Sequence, residues 1–521
     1  MRIKDPLDAP LLHISPHDVF TLRDAAQGVL ILGGTGSGKT SASKALKAAY
    51  LASGMGGLVL CAKAEEAALW RQQCAASGRT GSLLLWSGPN FRFNFLAYEL
   101  ASKGSAGINS VVECLMRVLE IARIAGPNPG RPSDSFWEDT TRQILRNTIP
   151  VLYAATGTVR IPDVLAFVRG APVSQEQMTD PAWQSSSRFY AMFRQAIGRL
   201  DDASGERALS YWRHDFATLD AKTRGNIVIS LTTALDRFNH GWLHDTFCTD
   251  TTIVPEICFQ GAIVVMAMPA LTLNEDGIIA QQLFKYLWQR AVLARNGMGA
   301  AQSQRPVFLW ADEAQYFVNS QDAEYLSTCR GSRACTVFLS QSLPTFYAKL
   351  GGENAHDRVH HLLGNFGTRI WHNNACAETN EWASKTIGRA LQQRASYNES
   401  EGSSSNLGMN MGEGTNWGTN ESSSHGFSAS GKGSSSSGSS SQGRSEGGND
   451  SYGRNRGSGT NRGSSWGYSE QMDHLLEPGQ FSRILKTGGP ANGNRVSAIW
   501  YQAGRILQES GGNALLVEFQ Q

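Results

Sequence analysis

Short apolar runs alternate with helical patterns along most of the chain. Each run is continuous rather than alternating in polarity, which is typical of strands buried on both faces of a parallel sheet. The runs are Val29–Leu32, Leu58–Cys61, Leu83–Trp86, Ile263–Met266, Val307–Trp310, Thr336–Leu339 and Arg369–Trp371, followed later by Val496–Tyr501 and Leu515–Phe519. The alternation predicts an α/β fold whose mostly parallel sheet is covered by helices on both faces.

The interval of residues 105–245 has a helical pattern instead. Side chains recur at the spacing of one helix face at Trp137, Thr141, Ile144, Leu145 and Thr148. Pro150 is expected to end that helix. We therefore expect an all-helical domain inserted between two parts of the α/β core.

Residues 396–466 break both patterns, because more than half of them are Gly or Ser. Such a segment cannot bury enough apolar surface to offset its conformational entropy, which predicts a disordered insertion. It is an insertion rather than a tail because strand-like runs follow it. It is either a passive linker or an interaction loop that uses its isolated Trp417, Phe427 and Tyr452.

Composition and charge exclude several classes of protein. The chain has 521 residues, enough for two to four domains at roughly 100–200 residues each. Its 47 Lys and Arg against 45 Asp and Glu give no global basic footprint, so a nucleic-acid partner must be bound locally. The eight cysteines form no C-x-x-C pair, and no apolar run reaches the roughly 18 residues of a membrane span. We expect a reduced, cytoplasmic protein without a transmembrane segment.

A phosphate-binding loop is the sharpest signal in the sequence. The run Gly33-Gly34-Thr35-Gly36-Ser37-Gly38-Lys39-Thr40 matches G-x-x-x-x-G-K-[ST]. It follows the strand Val29–Leu32 and opens a helix predicted over Ser41–Leu51, which directs backbone N–H groups at phosphate oxygens. Lys39 is expected to contact the β- and γ-phosphates, and the Thr40 hydroxyl to bind Mg²⁺. Ser41 completes the predicted ATP-binding set.

Paired carboxylates follow a later apolar strand. Asp312 and Glu313 come directly after Val307–Ala311. Asp312 is expected to hold Mg²⁺, directly or through water, and Glu313 to orient and polarise the attacking water. This pair favours a hydrolase over a kinase, because a kinase keeps water away from the phosphate.

Three further residues are candidates on weaker grounds. Gln341 ends the strand Thr336–Leu339 and is placed to contact the γ-phosphate or the water; the alternative is a surface or capping residue. Arg330 and, with less support, Arg333 precede that strand, where an arginine of one subunit can complete the site of its neighbour. The alternative for both arginines is a solvated turn. Lys63 and Glu65, after the second strand, are ambiguous.

Several motifs together resemble one family. They are the phosphate loop, Ser135-Phe136-Trp137-Glu138, Gly261-Ala262-Ile263-Val264-Val265 with Pro269, Trp310-Ala311-Asp312-Glu313, the stretch 330–341, and Asn365-Phe366-Gly367-Thr368-Arg369-Ile370 with Thr386-Ile387-Gly388. This ordered set resembles the coupling-protein ATPases of conjugative and type IV secretion systems, the TraG/TraD type within the FtsK/HerA group of ring-forming motors. The likeness covers nearly the whole chain outside the Gly/Ser insertion.

The resemblance implies a RecA-like P-loop NTPase core with an all-helical domain between core strands. It also implies a homo-hexamer that hydrolyses ATP with Mg²⁺ at subunit interfaces and passes DNA or a relaxase-DNA complex to a secretion-channel component. Three departures matter. Only about 30 residues precede the phosphate loop, so we expect no N-terminal membrane anchor of the usual kind and expect attachment at the inner membrane only through a partner. The family's D-x-K-G-E is Cys61-Ala62-Lys63-Ala64-Glu65 here, and Arg333 replaces a usual Gly.

Five segments are predicted. They are residues 1–104 and 246–395 as the two parts of the NTPase core, 105–245 as the helical domain, 396–466 as the Gly/Ser insertion, and 467–521 as C-terminal strands that complete the core. Three functions stay open: a ring-forming ATPase motor in conjugative transfer, a HerA-like motor in DNA processing or defence, and a substrate-docking module that uses ATP as an assembly switch. The near-neutral charge favours the last of these.

Overall fold

The computed structural model describes residues 5–103, 107–126, 135–200, 202–299, 303–352, 354–408, 419–430, 433–444 and 455–521. The chain divides into two units, Met1–Asn380 with Gly479–Gln521, and Glu381–Pro478. The first unit contains every predicted strand run and every predicted site residue.

Nine strands of the first unit form one sheet in the order β15-β14-β9-β3-β8-β7-β4-β6-β5. The strands along the chain are β1 Pro10–His13, β2 Val19–Thr21, β3 Val29–Leu32, β4 Gly56–Leu60, β5 Leu83–Trp86, β6 Ile263–Met266, β7 Val307–Ala311, β8 Ala334–Ser340, β9 Thr368–His372, β10 Arg389–Gly408, β11 Thr419–Ser430, β12 Gly433–Arg444, β13 Asn455–His474, β14 Arg495–Gln502 and β15 Ala514–Gln520. Neighbours from β9 to β5 pair in parallel, whereas β14 is antiparallel to β9 and to β15. The predicted α/β fold with a mostly parallel sheet is confirmed.

The middle of the sheet is buried over its whole length. Every residue of β3, β7 and β8 is buried, as the continuous apolar runs predict. The core on one face of the sheet contains Val29 and Ile31 of β3 and the aromatic rings of Tyr50, Trp70 and Trp310. This packing makes the four strands β3, β8, β7 and β4 a rigid base for the loops that follow them.

Helices cover the sheet and fill the interval between β5 and β6. They are α1 Leu22–Ala25, α2 Lys39–Ala52, α3 Glu65–Ala76, α4 Phe95–Lys103, α5 Gly107–Ala125, α6 Ser135–Thr156, α7 Ile161–Arg169, α8 Gln175–Thr179, α9 Pro181–Ser186, α10 Arg188–Ile197, α11 Asp202–Ser210, α12 Ala221–Leu235, α13 Gly241–Phe247, α14 Ala270–Ala294, α15 Gln321–Thr328, α16 Leu343–Leu350, α17 Ala355–Gly364, α18 Ala377–Ile387 and α19 Gln480–Arg483. A π-helical turn, Tyr211–Phe216, follows α11.

Between β5 and β6 the described residues contain helices and turns but no named strand. The exact bounds of a helical domain stay a prediction. The expectation that Pro150 ends its helix is wrong, because α6 continues through Pro150 to Thr156. Proline removes one backbone donor and costs about 3 kcal/mol in a helix interior. Burial of Ile149, Val151 and Leu152 on both sides of it offsets that cost.

The second unit contains two antiparallel strand pairs. β10 pairs with β13 from Arg389 and His474 onward, and β11 pairs with β12. These pairs are hydrogen-bonded through the described backbone of the insertion, and its predicted disorder stays a prediction. Backbone pairing needs no particular side chain, so a Gly- and Ser-rich sequence can adopt it without an apolar core.

Among the described helices, none is by itself long and apolar enough to cross a bilayer. The segments Phe136–Thr156 and Ile161–Arg169 meet the length and composition requirement only when taken together, across a bend of 113°.

Candidate functional site

Four neighbouring parallel strands end at one edge of the sheet and carry the candidate site. The phosphate loop follows β3, Gln341 follows β8, Asp312 and Glu313 follow β7, and Lys63 lies just beyond β4. Residues 35–40 of the loop line one cavity of about 380 Å³ together with Lys63, Asp312, Glu313 and Gln341. Strand order thus brings together segments that are far apart in sequence, at the edge where α/β sheets bind ligands.

The phosphate loop needs its glycines for two distinct reasons. Gly36 and Gly38 have φ values of 71° and 86°, a region that favours glycine. A Cβ on Gly38 would lie 2.3 Å from a methyl group of Val496 on β14, and one on Gly33 would lie 2.7 Å from the Cβ of His372 on β9. Glycine is therefore required in the loop both for its backbone conformation and for its close packing against β14 and β9.

Lys39 begins α2 and folds along the loop. Its Nζ donates hydrogen bonds to the carbonyl oxygens of Gly33 at 2.6 Å and Gly34 at 3.1 Å. Burial lowers the pKa of Lys39, although the carboxylates of Glu313 and Asp312 oppose that shift. The ammonium group thus lies at the loop, within the electrostatic reach of both carboxylates.

The other predicted loop residues differ in exposure. Thr35 and Thr40 are exposed to the cavity, whereas Ser37 is buried and its hydroxyl has no partner among the described residues. The backbone N–H of Ser41 donates to Gly38 O at 2.9 Å and belongs to the first turn of α2. The helix begins at Lys39, earlier than the predicted Ser41.

Glu313 is buried and its backbone is strained. Its φ of 52° and ψ of 49° are in the left-handed region, which costs a non-glycine residue about 1 kcal/mol or more. Its carboxylate accepts hydrogen bonds from Lys63 Nζ at 3.1 Å, Gln315 Nε2 at 2.9 Å and Gln341 Nε2 at 3.4 Å. Burial would raise the pKa of Glu313, but the hydrogen bonds from Gln315 and Lys63 hold it below its usual value. A side chain held at this energetic cost fits a catalytic position.

Asp312 and Thr40 supply the oxygen ligands that Mg²⁺ prefers. Both line the cavity, and Asp312 Oδ1 accepts a hydrogen bond from Glu313 N at 3.0 Å. No group of three or more His, Cys, Asp or Glu that could hold a metal occurs among the described residues. Mg²⁺ usually takes only one or two protein ligands and completes its shell with waters and phosphate oxygens, so this donor set fits it.

Sequence reasoning missed two residues that hold Glu313 in place. Gln315 is buried; its Nε2 donates to Glu313 Oε2, and its Oε1 accepts from Ser340 Oγ at 2.8 Å. Gln315 was detectable only by its distance of two residues from Glu313, and Ser340 only as a polar residue ending a buried strand. Their pairing depends on the contact of β7 with β8.

Neither Arg330 nor Arg333 lies near the cavity of its own chain. Arg330 is exposed in the 3-10 turn Cys329–Ser332, before β8, while Gln341 follows the other end of β8. The seven residues of β8 separate the two ends by roughly 20 Å at about 3.3 Å per residue. Arg333 donates to Gln304 O at 2.8 Å. Both arginines lie at the opposite edge of the sheet.

His372 is a buried neighbour of the loop that the sequence did not reveal. Its side chain is fully buried at the end of β9, next to Gly33. Burial, with a contribution from the Lys39 ammonium, lowers the pKa of His372 to about 3. The imidazole is therefore neutral at physiological pH and adds no charge beside the phosphate loop.

Comparison with known proteins identifies the fold. No protein-family model matches the sequence, and no curated protein matches it. Among solved structures, the unbound bacterial conjugative coupling protein TrwBdeltaN70 superimposes with a TM-score of 0.52 at 11% identity, over 98% of this chain and 90% of that chain. TrwB in complex with ADP and Mg²⁺ gives a TM-score of 0.51 at 12% identity, over 96% and 86%.

The chain therefore has the RecA-like α/β fold of P-loop nucleotide-binding proteins. Its fold is similar to that of the plasmid coupling protein TrwB. The complex of TrwB with a non-hydrolysable GTP analogue also superimposes on this chain, with a TM-score of 0.50 at 12% identity over 96% of this chain and 86% of that chain. The resemblance to conjugative coupling proteins inferred from the motifs is confirmed at the level of the fold.

Proposed function

We propose that this protein is a ring-forming ATPase motor that couples ATP hydrolysis to the movement of DNA or a relaxase-DNA complex in conjugative transfer. The observation that carries the proposal is the single cavity lined by Lys39, Thr40, Asp312 and Glu313. The fold shared with TrwB supports the role in conjugation over a general NTPase role.

The residues divide the chemistry between them. The loop N–H groups and Lys39 bind the phosphates, and Thr40 with Asp312 holds Mg²⁺, which neutralises phosphate charge. Glu313 accepts a proton as water attacks the γ-phosphorus, and the bond from that phosphorus to the β-γ bridging oxygen breaks to leave ADP and phosphate. Gln341, at 3.4 Å from Glu313, is positioned to orient the water.

Assembly and partners follow from the same proposal. The subunits form a homo-hexamer, either at rest or only when DNA or ATP is bound. Arg330 of one subunit completes the site of the next. The partners are DNA, a relaxase or another secretion substrate, and a secretion-channel component that holds the protein at the inner membrane. Rings multiply weak contacts sixfold, so a DNA groove needs few basic residues per subunit.

The catalytic assignment predicts two distinct losses. Lys39→Ala should abolish nucleotide turnover by removing the charge that faces the β- and γ-phosphates. Glu313→Gln should keep ATP bound and lower the hydrolysis rate about 100-fold or more, because the base is lost while the binding groups remain. ATP binding and phosphate release are measured on both variants. A Glu313→Gln rate above about a tenth of wild type would remove Glu313 from the role of base.

One experiment separates the motor from the other functions. ATPase rate is measured against protein concentration, with and without single- or double-stranded DNA. A motor should show a rate per subunit that rises with concentration and with DNA. A rate indifferent to DNA favours the ATP-switched docking module, and DNA stimulation without co-purification of a membrane-channel component favours a HerA-like motor.

A further inference from the structure

Lys63 is a second lysine at the candidate site, separate from the phosphate loop. It lies between β4 and α3, beyond the carboxyl end of β4. The carboxylate of Glu66 holds the backbone at this point, because its oxygens accept from Ala62 N at 3.2 Å and Lys63 N at 3.0 Å. The base of the Lys63 side chain is therefore fixed, while its ammonium group extends into the cavity.

The two side chains of the Lys63–Glu313 ion pair differ in solvent exposure. The Lys63 side chain is 39% exposed and that of Glu313 is 7% exposed. Glu313 stays hydrogen-bonded to Gln315 if Lys63 leaves, so the pair can open without leaving a buried carboxylate unsatisfied. Lysine has a long flexible stem and three donors, which suits an exchange of partners.

Lys63 engages the oxygen that the reaction needs. Its Nζ is 3.1 Å from Glu313 Oε1, which also accepts a longer bond of 3.4 Å from the neutral amide of Gln341, while Gln315 binds the other oxygen, Oε2. A water that transfers its proton to Glu313 must approach an oxygen that is not already bound to an ammonium group. Because Lys63 lies beside the base, it also lies at the end of the cavity where the γ-phosphate is attacked.

We propose that Lys63 is a catalytic residue that binds the γ-phosphate: the triphosphate draws its ammonium group away from Glu313 Oε1, which frees that oxygen for the attacking water. This inference rests on the proposed ATPase function. A magnesium-bound nucleoside triphosphate is a net anion, and Lys39 with Lys63 supplies matching positive charge. Throughout the reaction Lys63 stays protonated, and the water proton goes to Glu313.

The test compares nucleotides that differ by the γ-phosphate. The affinities of wild type, Lys63→Met and Lys63→Arg are measured for Mg-ADP and for a Mg-bound non-hydrolysable ATP analogue, together with kcat and KM for ATP. Lys63→Met should weaken analogue binding about tenfold or more, change ADP binding less than about threefold, and lower kcat. Lys63→Arg should recover most of the analogue affinity. Lys44→Met, which removes an exposed lysine from α2, is the matched control and should match wild type.

A second comparison separates contact with phosphate from an effect through Glu313. In a Glu313→Gln background the Lys63–Glu313 ion pair no longer competes with the phosphate for Lys63, so Lys63→Met should weaken analogue binding by at least the wild-type factor. No additional loss in that background, or equal losses for ADP and the analogue, would overturn the inference. A wild-type chain that binds neither nucleotide, or a Lys39→Ala variant that binds both normally, would instead overturn the proposed function.

Discussion

Glu66 controls the loop that carries Lys63, one position beyond the motif that the sequence highlights. It is buried, and its carboxylate accepts the backbone N–H groups of Ala62 and Lys63. Burial and the nearby Asp312 raise the pKa of Glu66 to about 8. The neighbouring Glu65 is exposed, so adjacent glutamates have entirely different environments.

This environment predicts a pH dependence of stability. The folded-state pKa of Glu66 lies above its ordinary value of 4.5, so its contribution is full below that value and is lost as the pH rises through about 8. Between pH 6 and pH 9 the free energy of unfolding should fall by roughly 3 kcal/mol through this group. Glu66→Gln should show a smaller fall in urea unfolding at the two pH values, while Glu65→Gln should behave as wild type. Equal falls in all three proteins would contradict the assignment.

Among the elements, helix α14 fixes the segment that follows Glu313. Its buried polar side chains Gln282, Lys285 and Gln289 face that segment. Gln282 Nε2 donates to Tyr316 O at 3.0 Å, and Lys285 Nζ donates to Phe317 O at 2.6 Å and to Asp322 Oδ1 at 2.7 Å. The helix thereby holds the backbone between Gln315 and α15 through buried hydrogen bonds rather than through apolar packing alone.

Breaking this buried ion pair should be costly. Lys285→Met leaves Asp322 as an unpaired buried carboxylate, because Gln289 Nε2 and Asn319 N do not neutralise its charge. The free energy of unfolding should fall by about 3–5 kcal/mol. Replacing both partners, Lys285→Met with Asp322→Leu, should cost less than the single change. Chemical denaturation of the three proteins measures this, and a double variant less stable than the single one would argue against the ion pair.

At the scale of the whole molecule, the insertion is expected to be separable from catalysis. Replacing residues 400–464 with a short flexible linker should leave the melting temperature and the basal ATPase rate unchanged, since its Gly- and Ser-rich sequence supplies no apolar core. Thermal unfolding and phosphate release of the two proteins are compared. A melting temperature that drops by many degrees would show that the segment packs as part of the fold.

Arg330 predicts a property of the assembled ring. Arg330 lies at the sheet edge opposite the cavity, so in the proposed ring it would contact a phosphate of the neighbouring subunit and not of its own. Arg330→Ala should bind ATP normally and hydrolyse it poorly, since transition-state charge is left unmatched. Mixing Arg330→Ala with Lys39→Ala subunits should restore part of the activity, because some interfaces then pair an intact loop with an intact arginine. If mixed rings recover no ATPase activity, Arg330 does not act on the neighbouring site, and Arg333 is the next arginine to test.

The sequence by itself determined which segments form the nine strands of the large sheet and where phosphate binding is expected. Both are local properties: continuous apolar runs specify buried strands, and the glycines with Lys39 and Thr40 specify a loop before a helix. The contacts around the site were decided by tertiary structure. The placement of Lys63, Gln315 and Gln341 around Glu313 depends on the order β8-β7-β4, which no local pattern contains.

The same division explains the expectations that failed. Pro150 disfavours a helix locally, yet α6 continues through it. Burial of the side chains on both sides of Pro150 stabilises the helix through tertiary contacts, which helix propensity does not include. The close approach of Val496 to Gly38 likewise joins residues from opposite ends of the chain. The local sequence determines which backbone conformations have low free energy. Only the packed structure determines where burial and hydrogen bonds offset an unfavourable local conformation.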